Sequence, residues 1–392
     1  MNLRFALFLG VLAGLALAIL ETAPFAKLPA VLLGFLSCLL VAETPIASQL
    51  QEFFGISSRH PDKVGLDILH PQDSEGGQDN PQNKQNADIK SQFDQRVMYG
   101  LQHAFLNLEV TGWWLSMGLW DKENDGSISK NMRFQDACKN LVKKVTSGIG
   151  IDQQSHILDV GFGCGDQDVY MAQLYQPAQI TGITIERIQH HAAQELIKRT
   201  ATPGTEIQLH VADASKLPEF LESTPTVFND STTTGNGRHF THVISIDSAY
   251  HYNTRAQFLK NAASVLAPDT GRIALADTIL ARPQPTSPWG QWMFEAVFGV
   301  MEVPPTNMKT LEAYRRDLEE AGFVDIEIEC IEDRVFSGLA AHIENQSARL
   351  GGMMQPGLNW RYWGLAKALR WLDRSKWLHF VVVKARNGPR RS

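Results

Sequence analysis

Cysteine is scarce in this chain of 392 residues: Cys38, Cys138, Cys164 and Cys330 stand singly, without a Cys-x-x-Cys pair. That scarcity excludes a disulfide framework and favours a reducing compartment for the main domain. No Lys/Arg block interleaved with aromatics precedes the short basic tail, residues 387–392, and the net charge is −6. Electrostatics therefore gives no reason to expect a nucleic-acid partner. No spaced set of His, Asp and Glu reads as metal ligands, so no metal is expected in the chemistry. Large apolar residues are nearly absent between His70 and Ala87. Such a stretch cannot bury enough surface to offset its ordering entropy, which predicts a flexible linker over residues 59–90.

What is present begins with two apolar runs, Leu3 to Leu20 and Leu28 to Ala42, separated by Glu21, Pro24, Lys27 and Pro29. A signal peptide would explain only the first, and a buried helical pair is the bland alternative. A membrane anchor over residues 1–58, as a hairpin or a single span, accounts for both. Arg59 and Lys63 just beyond it favour a cytosolic catalytic part on the endoplasmic reticulum or another intracellular membrane. Residues 91–155, rich in aromatics such as Trp113, Trp114 and Trp120, show helical periodicity and are expected to form a helical cap.

From His156 onward, strand-like and helix-like patterns alternate regularly. Strands are expected at His156 to Val160, Gln179 to Ile185, Ile207 to Val211, His242 to Ile246 and Arg272 to Asp277, with two more at Val324 to Ile331 and Leu378 to Ala385. A capping box, Thr254 with Gln257, starts one intervening helix. The pattern predicts an α/β, Rossmann-like, mostly parallel seven-stranded sheet with helices on both faces, spanning residues 156–386. Two insertions interrupt it: a polar one at 219–239, expected to be a surface loop, and a Trp-rich one at 336–376. The aromatics and basic residues of the second fit an interfacial helix, a lipophilic pocket lining or a plain packed insertion.

The first strand ends in Asp159 and three glycines on alternate positions, Gly161, Gly163 and Gly165. Glycines accept positive φ and let backbone approach a ligand, and the helix beyond offers unpaired N–H groups. The other strand ends carry Thr184-Ile185-Glu186, Asp213-Ala214, Asp247 with Tyr250 and His251, and Asp277. In an open parallel sheet the ligand lies outside these carboxyl ends, so the polar residues collect where chemistry is expected. Cys164 is assigned no chemistry, and His190 and His191 are expected to be solvated.

These motifs resemble those of the class I S-adenosylmethionine-dependent methyltransferases, through Asp159-x-Gly161-x-Gly163-x-Gly165, Ala212-Asp213-Ala214 and Leu266 to Arg272. Gly182 to Gln189 is similar to the segment found in the small-molecule and lipid group, with tocopherol, sterol and cyclopropane-fatty-acid methyltransferases. The resemblance implies S-adenosylmethionine as cofactor. Its methionine part would lie against Gly161 to Gly165 with the ammonium near Asp159; its ribose would meet Thr184, Ile185 and Gln189; and its adenine would meet Asp213 and Ala214. Glu186 departs from the family's small hydroxyl residue. Asp247 lies near the reacting end, with Tyr250 and His251 as catalytic candidates, His251 as base or substrate-orienting group. The expected substrate is a lipophilic small molecule or lipid. Rival readings are an NAD(P)-dependent oxidoreductase, which needs a later third glycine and an acidic residue where Thr184 stands, and a non-catalytic cofactor-binding membrane scaffold.

Overall fold

A computed structural model describes residues 106–107, 112–129, 132–224, 239–350 and 356–389. Seven strands, β1 (His156–Val160), β2 (Gln179–Thr184), β3 (Glu206–Val211), β4 (His242–Ile246), β5 (Arg272–Leu280), β6 (Phe323–Cys330) and β7 (Leu378–Asn387), form one sheet in the order β3-β2-β1-β4-β5-β7-β6. The first five are parallel, and β7 runs antiparallel to both of its neighbours. The chain winds outward from β1 to β3, then returns to β4 on the other side of β1. That reversal opens a crevice at the carboxyl ends of β1 and β4.

The central strands are buried on both faces, which is why they read as apolar runs rather than as alternating ones. One face packs α1 (Phe134–Thr146) and α8 (Phe336–Leu350), with Leu141, Phe336 and Ile343 fully enclosed. The other packs α5 (Arg255–Val265) and α7 (Leu311–Glu320) through Phe258, Leu259, Tyr314 and Leu318. The remaining helices are α2 (Asp166–Tyr175), α3 (Arg187–Arg199), α4 (Leu217–Ser223), α6 (Pro288–Val300) and α9 (Pro356–Ser375).

Several expectations are refined. β5 runs on past Asp277 to Leu280 because β7 pairs with it along its whole length, ending at Leu280 opposite Leu378. At α5 the Thr254 hydroxyl accepts from the Gln257 N–H at 3.2 Å, but the Gln257 side chain donates to Asn261 instead of closing the box. The polar insertion begins with a helix, since α4 reaches Ser223; residues 225–238 lie outside the described residues.

Of the segment expected to be a helical cap, residues 91–105, 108–111 and 130–131 lie outside the described residues and α1 is helical, while the stretch between them differs. Residues 112–129 contain no helix. They run as an extended strap, broken by Gly118 at φ 74°, where an added Cβ would lie 2.8 Å from Ala137 Cβ. Trp114 and Trp120 pack into the core while Trp113 stays 49% exposed, so burial of individual rings, not a helical stripe, sets the Trp pattern.

The Trp-rich insertion is a helix pair, α8 and α9. Two of its basic residues stitch that pair together: Arg370 and Lys367 reach Glu344 at 2.8 and 3.8 Å. Among the described residues no helix is long and apolar enough to cross a membrane, and the two N-terminal apolar runs lie outside them.

Candidate active site at the carboxyl ends of the parallel strands

The glycine turn joins β1 to α2, and Gly161, Gly163 and Gly165 all have positive φ. An added Cβ at Gly161 would strike the Ser248 side chain and lie 2.8 Å from the Tyr252 hydroxyl; at Gly163 it would press on Leu115 of the strap. The turn is therefore pinched between the loop after β4 and the strap, and only glycine passes.

Behind it three carboxyls crowd together. Asp159 Oδ2 accepts from Gln167 Nε2 at 2.7 Å, and the fully buried Asp159 and Asp168 carboxyls lie close enough to each other to share a proton. Burial pushes Asp159 up to about 6, and burial together with the neighbouring charge of Asp159 pushes Asp168 well above the usual carboxylate range. Asp166 is also raised to about 6 by burial, against a lowering hydrogen bond from the Trp113 N–H at 3.0 Å. Lys139 is the basic side chain whose charge reaches Asp166, while Asp159 and Asp168 have no ion pair among the described residues, an acidic site that suits a cationic ligand. Cys164, by contrast, has its thiol pushed up to about 12 by burial, which keeps it out of nucleophilic chemistry.

At the end of β2, Thr184 Oγ1 donates to Gln189 Oε1 and accepts from the Glu186 N–H, both at 3.2 Å, tying the strand to α3. Ile185 and Ile188 beside them are 52% and 56% exposed, a large apolar surface for a strand end. Asp213 Oδ1 accepts from the Ser215 N–H and hydroxyl at 2.8 Å each, which leaves Oδ2 to accept from a ligand. Ala214 is buried next to it. His190, expected to be solvated, instead sets Nε2 3.1 Å from the Leu209 carbonyl.

Asp247 adopts a left-handed backbone, φ 57°, at the end of β4. Its Oδ2 accepts from the Met117 N–H at 2.7 Å and its Oδ1 from the Tyr250 hydroxyl at 2.9 Å. Asp247 thus moors the strap, much as Asp166 does at Trp113. The Tyr250 ring lies 4.2 Å from that of His251. His251 Nδ1 is 3.2 Å from the Glu302 carbonyl. A carbonyl only accepts, so Nδ1 carries the hydrogen and Nε2 becomes the ring's acceptor nitrogen. Burial lowers the pKa of His251, partly offset by that carbonyl, which keeps the ring neutral near pH 7.

Residues 157–269 match the family described as "Methyltransferase domain". The erythromycin 3''-O-methyltransferase of Saccharopolyspora erythraea is 29% identical over 243 residues, covering 61% of this chain and 71% of that protein. The O-methyltransferase resE of Aspergillus sclerotiorum is 29% identical, covering 64% of this chain and 80% of that protein. The chain is a class I S-adenosylmethionine-dependent methyltransferase. The cyclopropane synthase MmaA2 of Mycobacterium tuberculosis shares the methyltransferase fold, with a TM-score of 0.57 at 15% identity over 74% of this chain and 94% of that one. The oxidoreductase and scaffold readings fall with this assignment.

S-adenosylmethionine is the cofactor of this methyltransferase, and the residues present fit it. A cradle that any Cβ would fill, and buried carboxyls crowded behind it, match a ligand with a cationic amino-acid end. Exposed Ile185 and Ile188 near Asp213 match a flat aromatic base with an amino group. Bound there, the cofactor supplies an electrophilic methyl group on a positively charged sulfur.

Two residues of the site were not visible in the sequence. Asn307 Nδ2 donates to the carbonyls of Tyr250 and Tyr252 at 2.9 and 2.6 Å, while its Oδ1 accepts from the Arg255 N–H at 2.9 Å. Arg255 in turn donates to Asp277 Oδ2 at 3.0 Å, to the Thr278 carbonyl at 3.1 Å and to the Asn307 carbonyl, with its guanidinium 4.0 Å over the Tyr314 ring. Asp277, expected at the end of β5 but lying three residues inside it, is thereby explained as a clamp. It fixes the turn that carries Tyr250 and His251, rather than facing a ligand.

Proposed function

We propose that this methyltransferase methylates a hydroxyl group of a lipophilic small molecule or lipid, with His251 Nε2 taking the hydroxyl proton. The observation that carries the reading is the Glu302 carbonyl at Nδ1, which selects the tautomer and orients the ring of a neutral imidazole. Both curated relatives described above are O-methyltransferases by name, which favours oxygen as the acceptor atom. Asp159 and Asp168 hold the cofactor's ammonium, Thr184, Ile185 and Gln189 its ribose, and Asp213 with Ala214 its adenine. Asp247 acts through the strap and Tyr250, aligning nucleophile and base, and alignment is the main work left to the protein in such a displacement.

Residues 1–58 anchor the enzyme to an intracellular membrane, residues 59–90 act as the tether, and the catalytic part works on the cytosolic side. The two apolar runs and the polar stretch after them support this arrangement. Incubation with a methyl-labelled cofactor and a membrane-lipid extract, followed by mass spectrometry of the products, tests substrate and acceptor atom together. An O-methylated apolar product is expected; label found only on nitrogen or carbon overturns the hydroxyl reading. His251→Ala should lower turnover about 10²- to 10⁴-fold with little change in cofactor affinity. Equal losses in both would remove His251 from the base role.

A further inference from the structure

The hairpin that closes the sheet gathers three metal-ligating side chains at the root of the 336–376 insertion, far along the edge from the glycine turn. β6 pairs Cys330 with Val381, and the ladder runs one residue further, with the Ile331 N–H donating to the Phe380 carbonyl at 2.8 Å. Continuing that register sets Glu332 beside His379, whose Nδ1 lies 2.9 Å from Glu332 Oε1. One ligand atom from each of Cys330, Glu332 and His379 lies within 4.8 Å of the other two.

The Glu332–His379 contact alone would be an ordinary ion pair, but it does not account for the second oxygen. Glu332 Oε2 is buried without a hydrogen-bond partner, in a residue only 9% exposed. A carboxylate oxygen withdrawn from water needs a donor or a cation, and the described residues provide neither to Oε2. We propose that Cys330, Glu332 and His379 bind a divalent cation of the zinc type, which staples together the two stems of the α8–α9 insertion.

The donor set selects the ion. Sulfur, imidazole nitrogen and carboxylate oxygen together suit a borderline cation, whereas magnesium and calcium take all-oxygen shells and reject a thiol. Three protein ligands leave a fourth position, which exposed Cys330 turns toward solvent. Binding replaces the thiol proton, which is released to water. The set escapes a search for spaced ligands because His379 stands 47 positions from Glu332 and is brought back by the antiparallel return of β7.

The full chain, stripped with a chelator and kept reduced, is titrated with zinc against a chromogenic zinc indicator, without methyl donor. One zinc per chain is expected, with magnesium at least about tenfold weaker. Cys330→Ser and His379→Ala should each weaken zinc more than about tenfold, whereas Glu329→Gln, on the opposite side of the same strand, should not. A second readout needs no variant: zinc should slow alkylation of Cys330, mapped by mass spectrometry, and leave Cys164 unchanged. Absence of stoichiometric zinc, equal affinity in the ligand variants, or unprotected Cys330 in the native chain overturns the site.

Discussion

Two groups of buried carboxylates flank the crevice, and they are built in opposite ways. Within β5, Asp277 is fully enclosed yet has an Arg255 guanidinium, the Tyr314 hydroxyl at 2.7 Å and the Thr278 N–H at 2.8 Å as partners. Behind the glycine turn, Asp159 and Asp168 are equally enclosed, but they crowd against each other with the Gln167 amide as a donor, and among the described residues no Lys or Arg forms an ion pair with either. A buried charge is tolerated when it is paired and raises its pKa when it is not. The first group therefore holds the fold, and the second is kept short of positive charge for a ligand to supply.

Removing one partner from the paired group should have the largest effect. Asp277→Ala leaves a buried guanidinium uncompensated and is expected to cost about 3–5 kcal/mol in chemical denaturation. Asp159→Asn should behave in the opposite sense, weakening S-adenosylmethionine binding by about 1.5–3 kcal/mol in calorimetry while leaving the unliganded fold as stable or more so. If both variants lost stability alike, the distinction between the two groups would collapse. Asn307→Ala, which frees the carbonyls of Tyr250 and Tyr252, should cost about 1–2 kcal/mol of stability. It should also lower kcat more than it raises the KM for the cofactor, since it loosens the turn bearing His251 and not the glycine cradle.

The smallest effect is the pH dependence. Asp159 titrates at about 6 in the unliganded fold because of burial, above its ordinary value. A raised carboxyl pKa contributes stability that is complete below the unfolded value and is lost as pH rises through about 6, so the unliganded protein should gain thermal stability on acidification from pH 7 to 5. A bound cation favours the ionised form, so cofactor affinity should fall about tenfold over the same interval. Isothermal titrations at both pH values check this, and Asp159→Asn should flatten the dependence.

Much of this arrangement was legible in the sequence. The central strands were visible as apolar runs and β3 and β6 as alternating ones, and the glycine turn was visible because its backbone geometry admits few substitutes. Within the expected cap, residues 112–129 are not helical: Trp114, Trp120 and the residues between them mimic a helical period, whereas Gly118 at positive φ and packing against α1 set a different path. Asn307 carried no local signal. It follows two prolines in a polar stretch and acquires its role only because the chain returns to the loop after β4. Asp277 shows the converse, a residue expected at a strand end that lies inside β5, whose partners, Arg255 and Tyr314, stand 22 and 37 positions away and turn it to structural use.

Because β7 slots between β5 and β6, the α8–α9 pair enters and leaves the sheet at the same edge as the catalytic ends, yet outside the half that holds the cofactor. Inheritance can then treat the two halves separately. Lengthening, shortening or recomposing the helix pair can therefore proceed without disturbing the β1 to β4 half that carries the glycine turn.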